Sequence, residues 1–342
     1  MLDDLKLIHE LDSNDTLGIA EKQWQQLRYR FEVDVSGQGI ENIVFSGMGG
    51  SSLSALISIS WPGYKIPFEI VRNYDIPDYV SSKTLFVASS YSGNTEETLS
   101  ALDKAIKKRA RVVVITGGGK LADIAKENNF PVAILPKAEQ PRYAVFYSLK
   151  ALVDILSSAG LVDEKKVKLE LDYASKFLNG IAKRWQAIIP VDNNLAKQIA
   201  LEAVGKSVVI YAGPKLMPVA YKWKISFNEN AKQIAWWNQY PEFNHNEFIG
   251  WTEQPTIKPY LIIDLRSNLE DPRIQKRFEL SAKLLSGKRP NPMIVIPEGT
   301  NILEQMIYGI MLGDFTTLYA AILNGLNPAP VNLVEKLKKE LA

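Results

Sequence analysis

The sequence predicts an α/β protein with two domains, each built on a mainly parallel β-sheet flanked by α-helices. Three observations support this fold class. The chain has 342 residues, which is long for one hydrophobic core and suits two domains of ordinary size. Short apolar runs alternate with helical stretches at a spacing typical of parallel sheets. The order of a strand, a glycine-containing loop and a helix occurs in both halves of the chain.

The first half contains five apolar runs that are predicted to be strands. They follow a helical stretch over residues 1–33 and cover residues 43–46, 68–71, 85–89, 111–116 and 132–135. Strands that alternate with helices at this spacing imply a parallel sheet covered on both faces, and we expect right-handed crossovers.

The second half repeats this pattern after a long helical stretch from residue 144 to about residue 184. Strands are predicted at 208–212, 234–237, 261–264 and 293–297, and helices at about 219–228, 302–324 and 331–341. The predicted domains are residues 1–150 and 191–342, joined by a helical connection over residues 151–190.

Composition excludes several functional classes. Lys and Arg total 40 against 38 Asp and Glu, and the basic residues are scattered, which argues against nucleic acid as a partner. The chain has no cysteine, so disulfides, thiolate metal sites and a cysteine nucleophile are excluded. Its two histidines, His9 and His245, are too few for a multi-histidine metal centre. The amino terminus does not resemble a signal peptide, and we expect a cytoplasmic location. We also expect no apolar run near the roughly 18 residues that a membrane span needs.

Two polar loops follow strands in the first half. The loop at 47–52 reads Gly-Met-Gly-Gly-Ser-Ser, and the loop at 90–95 reads Ser-Tyr-Ser-Gly-Asn-Thr. Asn94 is predicted to cap the next helix, whose free N–H groups and dipole would favour an anion. In open α/β sheets, ligands collect at the carboxyl ends of the strands, so the loops predict a site for a phosphorylated small molecule. The alternative is an ordinary serine- and threonine-rich loop without a ligand.

Three further residues are candidates for chemistry, each with a structural alternative. Glu229 follows an aromatic helix, where a carboxylate can act as a general base; the alternative is an ordinary ion pair with Lys232. His245 lies in a polar stretch between aromatic residues and is either catalytic or structural. Arg142, directly after Pro141, either pairs with an oxyanion or caps a carbonyl group.

Together these segments resemble the bifunctional phosphoglucose/phosphomannose isomerases, which have sugar isomerase (SIS) domains. The resemblance rests on five pieces in the family's order, covering most of the chain: the loop at 46–51, the loop at 90–95, Pro141-Arg142, Phe-Asn-Glu-Asn-Ala-Lys at 227–232, and Pro241-Glu242 before His245-Asn246. The piece at 90–95 is general to SIS domains, whereas those at 227–232 and 245–246 are more specific to this family.

The resemblance implies interconversion of glucose 6-phosphate or mannose 6-phosphate with fructose 6-phosphate, without a cofactor or metal. It places the phosphate on Ser51, Ser90, Ser92 and Thr95, with close backbone approach at Gly50. It makes Glu229 the residue that moves the proton between C1 and C2, and Arg142 the residue that stabilises the enediolate. It assigns ring opening to His245 from the partner subunit of a homodimer and to a lysine in the last helix.

That lysine is best matched by Lys338, with Lys336 and Lys339 as alternatives. The family has a threonine shortly before the lysine that is linked to room for the mannose epimer. Residues 327–332 contain no hydroxyl group, so the preference between the two hexose phosphates stays open. A non-catalytic phosphosugar-binding regulator is the alternative function. It would keep the serine-rich loops and would not need Glu229 or His245.

Overall fold

Two parallel β-sheets organise the chain. A computed structural model describes residues 1–138, 140–253 and 259–341, apart from the side chain of Lys339. The described residues form two units: an amino-terminal unit of residues 22–177, and a carboxy-terminal unit of residues 1–21 and 178–342. The predicted α/β class is confirmed.

The strands lie close to their predicted positions. They are β1 (Asn42–Ser46), β2 (Phe68–Val71), β3 (Thr84–Ser90), β4 (Arg111–Thr116), β5 (Val132–Ile134), β6 (Ser207–Ala212), β7 (Ala235–Gln239), β8 (Tyr260–Leu265) and β9 (Met293–Val295). The helices are α1 (Leu5–Leu11), α2 (Thr16–Lys22), α3 (Leu53–Ser60), α4 (Glu96–Lys107), α5 (Gly119–Glu127), α6 (Val145–Ser158), α7 (Glu164–Ala182), α8 (Leu195–Ala203), α9 (Met217–Glu229), α10 (Glu247–Gly250), α11 (Pro272–Leu284), α12 (Ile302–Leu323) and α13 (Asn332–Leu341).

The sheet of the amino-terminal unit has the strand order β2-β1-β3-β4-β5, and every pairing is parallel. Its central strand β3 is buried along its whole length. Successive side chains of a strand point to opposite faces. Accordingly, Leu85 and Val87 pack in one core cluster with residues of α3 and α6, and Phe86 packs in another with residues of α4 and α5. Burial on both faces explains why this strand reads as a continuous apolar run.

The sheet of the carboxy-terminal unit has the order β7-β6-β8-β9 and is also parallel. Helix α12 packs against α8 and α9. This 22-residue helix is long and apolar enough to span a membrane by length and composition, so the expectation that no run reaches that length is wrong. Its most apolar 18-residue window is 94% buried inside the structure, as is typical of the core helix of a globular unit.

The first 21 residues belong to the carboxy-terminal unit, whereas the sequence analysis placed them in the first domain. The reason is a set of contacts distant in sequence. The Lys197 ammonium lies 2.9 Å from the Asp3 carboxylate, and the Val191 N–H donates to the same carboxylate at 3.1 Å. The Asn327 amide donates to the Ser13 hydroxyl at 3.0 Å. The predicted helical connection is two helices, α6 and α7, and the boundary between the units falls within α7.

Candidate active site

The two polar loops meet at one point of the amino-terminal sheet. Strands β1 and β3 are neighbours, with Ser46 paired to Ala88, so both loops leave the sheet at adjacent carboxyl ends. The chain proceeds from β1 to β2 on one side and from β3 to β4 on the other. The strand order therefore reverses between β1 and β3, and such a point is where open α/β sheets bind their ligands.

Four hydroxyl groups converge there, from Ser51, Ser90, Ser92 and Thr95, and we call them the hydroxyl cradle. The Ser90 Oγ lies 2.7 Å from the Thr95 Oγ1 and 3.5 Å from the Ser92 Oγ. The Ser51 hydroxyl accepts a hydrogen bond from the Tyr91 N–H at 3.3 Å, which joins the two loops. Ser90 is buried, whereas Ser92 is exposed. The cradle is thus buried at Ser90 and open to solvent at Ser92.

The loop backbone donates into the cradle. The N–H of Gly93 lies 3.1 Å from the Ser90 Oγ, and the N–H of Asn94 lies 3.3 Å from the Ser92 Oγ. Gly93 has a φ of +69°, and an added Cβ would lie 1.7 Å from the Gly118 carbonyl oxygen. Only glycine fits both the left-handed backbone and the close approach of the neighbouring loop. Hydroxyl and N–H donors at the start of a helix are the groups that bind a phosphate ester.

The predicted capping role of Asn94 is wrong. Helix α4 begins at Glu96, and Thr95 occupies the cap position without a side-chain capping bond. The Asn94 side chain instead accepts a hydrogen bond from the Lys120 N–H at 3.1 Å, at the start of α5. The reason is the turn at Gly93, which directs Asn94 toward the loop after β4 and leaves Thr95 to contact Ser90.

Tyr91 supports the cradle, and the sequence analysis gave it no role. Its hydroxyl group donates to the Pro136 carbonyl at 3.1 Å and accepts from the Ala138 N–H, beyond β5. Its carbonyl accepts from the Gly117 N–H at 2.9 Å, beyond β4. Tyr91 therefore fixes the cradle loop to the loops after the next two strands. In the sequence, its place as an aromatic residue between two serines could have indicated this supporting role.

Arg142 lies beside the first loop. It is 1% exposed, within a helical turn at Pro141–Tyr143, and its guanidinium carbon lies 4.8 Å from the centre of the Tyr143 ring. A Cβ added to Gly50 would lie 3.6 Å from the Arg142 Cα. The amino-terminal unit therefore brings together all the residues predicted to bind the substrate: Gly50, Ser51, Ser90, Ser92, Thr95 and Arg142.

Glu229 is the last residue of α9, in the carboxy-terminal unit, and is half-buried. A buried cluster anchors this helix to α12. The Lys222 ammonium pairs with the Asp314 carboxylate, and the Ser226 hydroxyl lies 2.8 Å from the first and 2.9 Å from the second. The next residue, Asn230, donates its side-chain amide to the Thr317 hydroxyl of α12 at 2.9 Å. Helix packing thus sets the position of the candidate base.

His245 ends a helical turn at Glu242–His245 and is exposed. The turn rests on an aromatic cluster in which Phe243 is buried against Tyr211 and Tyr240. Burial raises the pKa of Tyr240 to about 12, so its ring stays neutral at physiological pH. A firmly packed turn therefore carries an exposed imidazole.

Lys338 lies on α13 and is exposed, with its ammonium 2.9 Å from the Glu335 carboxylate. Lys336 is also exposed, 3.7 Å from Glu340, and the side chain of Lys339 lies outside the described residues. Among the described residues, no group of three or more His, Asp or Glu side chains has an arrangement that would hold a metal ion.

Comparison with known proteins shows what the chain is similar to. Residues 192–341 match the family model described as the bacterial phospho-glucose isomerase C-terminal SIS domain. The bifunctional phosphoglucose/phosphomannose isomerase of Caldicellulosiruptor bescii is 35% identical over 315 residues, which cover 91% of this chain and 92% of that protein. The protein of the same name from Thermoplasma volcanium is 36% identical, over 92% of this chain and 95% of its own length.

The fold also matches solved structures. A glucose-6-phosphate isomerase-like protein from Thermus thermophilus aligns with a TM-score of 0.66 over 99% of this chain and 98% of its own, at 17% identity. That likeness supports the two-sheet SIS fold. The two sequence relatives lead to one conclusion: the chain belongs to the bifunctional phosphoglucose/phosphomannose isomerase family.

Proposed function

We propose that this protein is an isomerase that interconverts glucose 6-phosphate, and also mannose 6-phosphate, with fructose 6-phosphate. The observation that carries the proposal is the hydroxyl cradle at the reversal of strand order, in a chain whose relatives bear the name of this reaction. A phosphate held there leaves the sugar carbons free for chemistry by other groups.

In the proposed mechanism the cradle binds the 6-phosphate group, with the N–H groups of the Gly93 turn and the Gly50 backbone as further donors. His245 and Lys338 assist opening of the sugar ring. The Glu229 carboxylate then removes the proton from C2 of the open-chain aldose, and the C1 carbonyl becomes the enediolate oxygen. A proton then passes from the C2 hydroxyl group to O1, and return of the abstracted proton from Glu229 to C1 gives the ketose. Arg142, whose guanidinium stays protonated, stabilises the enediolate charge.

This mechanism is acid–base chemistry throughout and needs no cofactor. Coupled assays with glucose 6-phosphate and mannose 6-phosphate in the presence of a chelator test it directly. We expect turnover of both substrates, unchanged by the chelator. Saturable binding of fructose 6-phosphate without any turnover would favour the regulator instead, and activity lost to the chelator would contradict the metal-free mechanism.

We further propose that His245 acts in the active site of a partner subunit of a homodimer. The exposure of His245 on a firmly packed turn supports this proposal, because an exposed imidazole is available to a second copy of the chain. We also propose that the enzyme acts in hexose phosphate metabolism in the cytoplasm.

Mixing two inactive variants tests the shared site. If His245 acts across the interface, dimers that combine one Glu229→Gln subunit with one His245→Ala subunit contain one site with both native residues. We expect activity to return when the two variants are unfolded and refolded together, and not when each is refolded alone. No recovery from verified mixed dimers would place both residues in one subunit.

A further inference from the structure

We propose that Lys232 is a positioning residue that ties the turn after Glu229 to the segment that leads into α13. Lys232 lies three residues after Glu229, in the short connection between α9 and β7. The proposal rests on the proposed function, since it assumes that Glu229 and Lys338 act on the same substrate.

The first observation is the ammonium group of Lys232. It donates hydrogen bonds to three carbonyl oxygens: that of Asn230 at 3.2 Å, that of Asn327 at 2.9 Å and that of Pro328 at 2.9 Å. An ammonium group has three donors, and three carbonyl oxygens lie within hydrogen-bond distance of this one. One side chain thus joins the residue after Glu229 to a loop almost one hundred residues away.

The second observation is the position of that loop. Asn327 and Pro328 lie between the end of α12 and the start of α13, which carries Lys338. The loop is also held on its other side, because the Asn327 amide donates to the Ser13 hydroxyl at 3.0 Å and its carbonyl oxygen Oδ1 accepts from the Ala329 N–H at 2.9 Å. The contact of Lys232 therefore reaches a firmly held segment.

The third observation is the backbone of Lys232, whose φ is +51°. A side chain with a Cβ is strained in this left-handed region, where glycine is not. Glycine would relieve the strain but would remove the ammonium group that donates to the Asn327 and Pro328 carbonyls. A lysine at this position is explained by what its side chain holds.

From these contacts we infer that Lys232 sets where α13 begins relative to the turn that follows Glu229. A ring-opening group and a proton-transfer group that serve one substrate need fixed relative positions. Misplacing a catalytic group by about 1 Å can reduce the rate about 100-fold. Removal of the Lys232 ammonium should therefore affect turnover more than substrate binding, because the cradle lies in the other unit.

The test compares Lys232→Met, which removes the donors, with Lys232→Gly, which removes the donors and relieves the backbone strain. We expect both variants to lower kcat by about 10- to 100-fold, with KM for fructose 6-phosphate within about 3-fold of the wild-type value. Lys232→Gly should unfold at or above the wild-type temperature. Lys232→Arg, which retains a charged donor, should recover most of kcat.

The matched control is Arg109→Gly, since Arg109 is also a basic residue with a positive φ, of +58°, and lies in the amino-terminal unit. It should leave kcat unchanged.

Amide hydrogen exchange over residues 324–331 should accelerate in both donor-free Lys232 variants. A wild-type kcat in Lys232→Gly would overturn the inference. This holds also if Lys232→Met loses kcat and thermal stability and Lys232→Gly regains both, because the backbone strain would then explain the loss. A wild-type enzyme without turnover would instead overturn the proposed function, and this inference with it.

Discussion

The hydroxyl cradle and the proton-transfer residues are built in different ways. Three of the four cradle hydroxyls come from one stretch of six residues, and they already bond to each other and to their own backbone. Glu229, His245 and Lys338 come from a helix end, a turn and the last helix, and the positions of Glu229 and His245 depend on packing between elements distant in the sequence. Phosphate binding should therefore depend on local sequence, and turnover on tertiary structure.

The largest effect on stability is expected at the buried ion pair beneath Glu229. Lys222→Met removes the ammonium group that pairs with the Asp314 carboxylate in the core, where both side chains are fully buried. We expect a loss of about 3–5 kcal/mol in the free energy of unfolding, measured with urea. The control Lys206→Met breaks a pair with Glu202 at the surface and should cost at most about 1 kcal/mol. Equal losses would contradict the anchoring role of Lys222.

The next largest effect is expected from a substitution that disrupts the cradle loop. Gly93→Ala places a Cβ against the Gly118 carbonyl in a strained left-handed conformation. We expect about 2–4 kcal/mol of destabilisation and loss of inorganic phosphate binding. Gly180→Ala is the matched control, because its added Cβ meets open space within a helix, and it should be neutral or stabilising. Wild-type phosphate binding by Gly93→Ala would show that the turn does not shape the site.

A milder change removes one cradle hydroxyl. Ser90→Ala takes away the group that contacts both Ser92 and Thr95, and a hydrogen bond to a charged ligand contributes about 1.5–3 kcal/mol. KM for glucose 6-phosphate should rise about 10- to 100-fold, with a smaller change in kcat. Ser100→Ala, in the helix α4 that follows the cradle loop, should change neither constant. A fall in kcat at constant KM would assign Ser90 to catalysis rather than binding.

The smallest effect is expected at a surface pair of the carboxy-terminal unit. The Arg184 guanidinium, 2.7 Å and 2.8 Å from the Glu298 carboxylate oxygens, holds the pKa of Glu298 below its usual range. The resulting stability is present above the unfolded-state pKa and is lost as the pH falls through the folded-state pKa. Because both side chains are about half exposed, Glu298→Gln should cost at most about 1 kcal/mol at pH 7. If Glu298→Gln were still less stable than the wild type at a pH below the folded-state pKa of Glu298, the stability difference would not come from this ion pair.

The same contrast explains what sequence reasoning could predict. The strands and both polar loops were recognised because they are local patterns, and the family resemblance rested on contiguous motifs. The cap at Asn94 was predicted wrongly because a glycine turn redirects that side chain to the next loop. Three features could not be predicted: the contacts of Tyr91, the anchoring of residues 1–21 and the hydrogen bonds of Lys232. Each joins residues far apart in the sequence, and composition and periodicity do not indicate such contacts.

Proton exchange at C2 of glucose 6-phosphate, followed by NMR in deuterated water, tests the central claim most directly. The wild-type enzyme should incorporate deuterium. In Glu229→Gln the rate of this exchange should fall by about 100- to 10,000-fold, whereas phosphate binding should stay normal. Glu202→Gln, an exposed carboxylate of the same unit, should exchange like the wild type. Undiminished exchange in Glu229→Gln would contradict the assignment of Glu229 as the base.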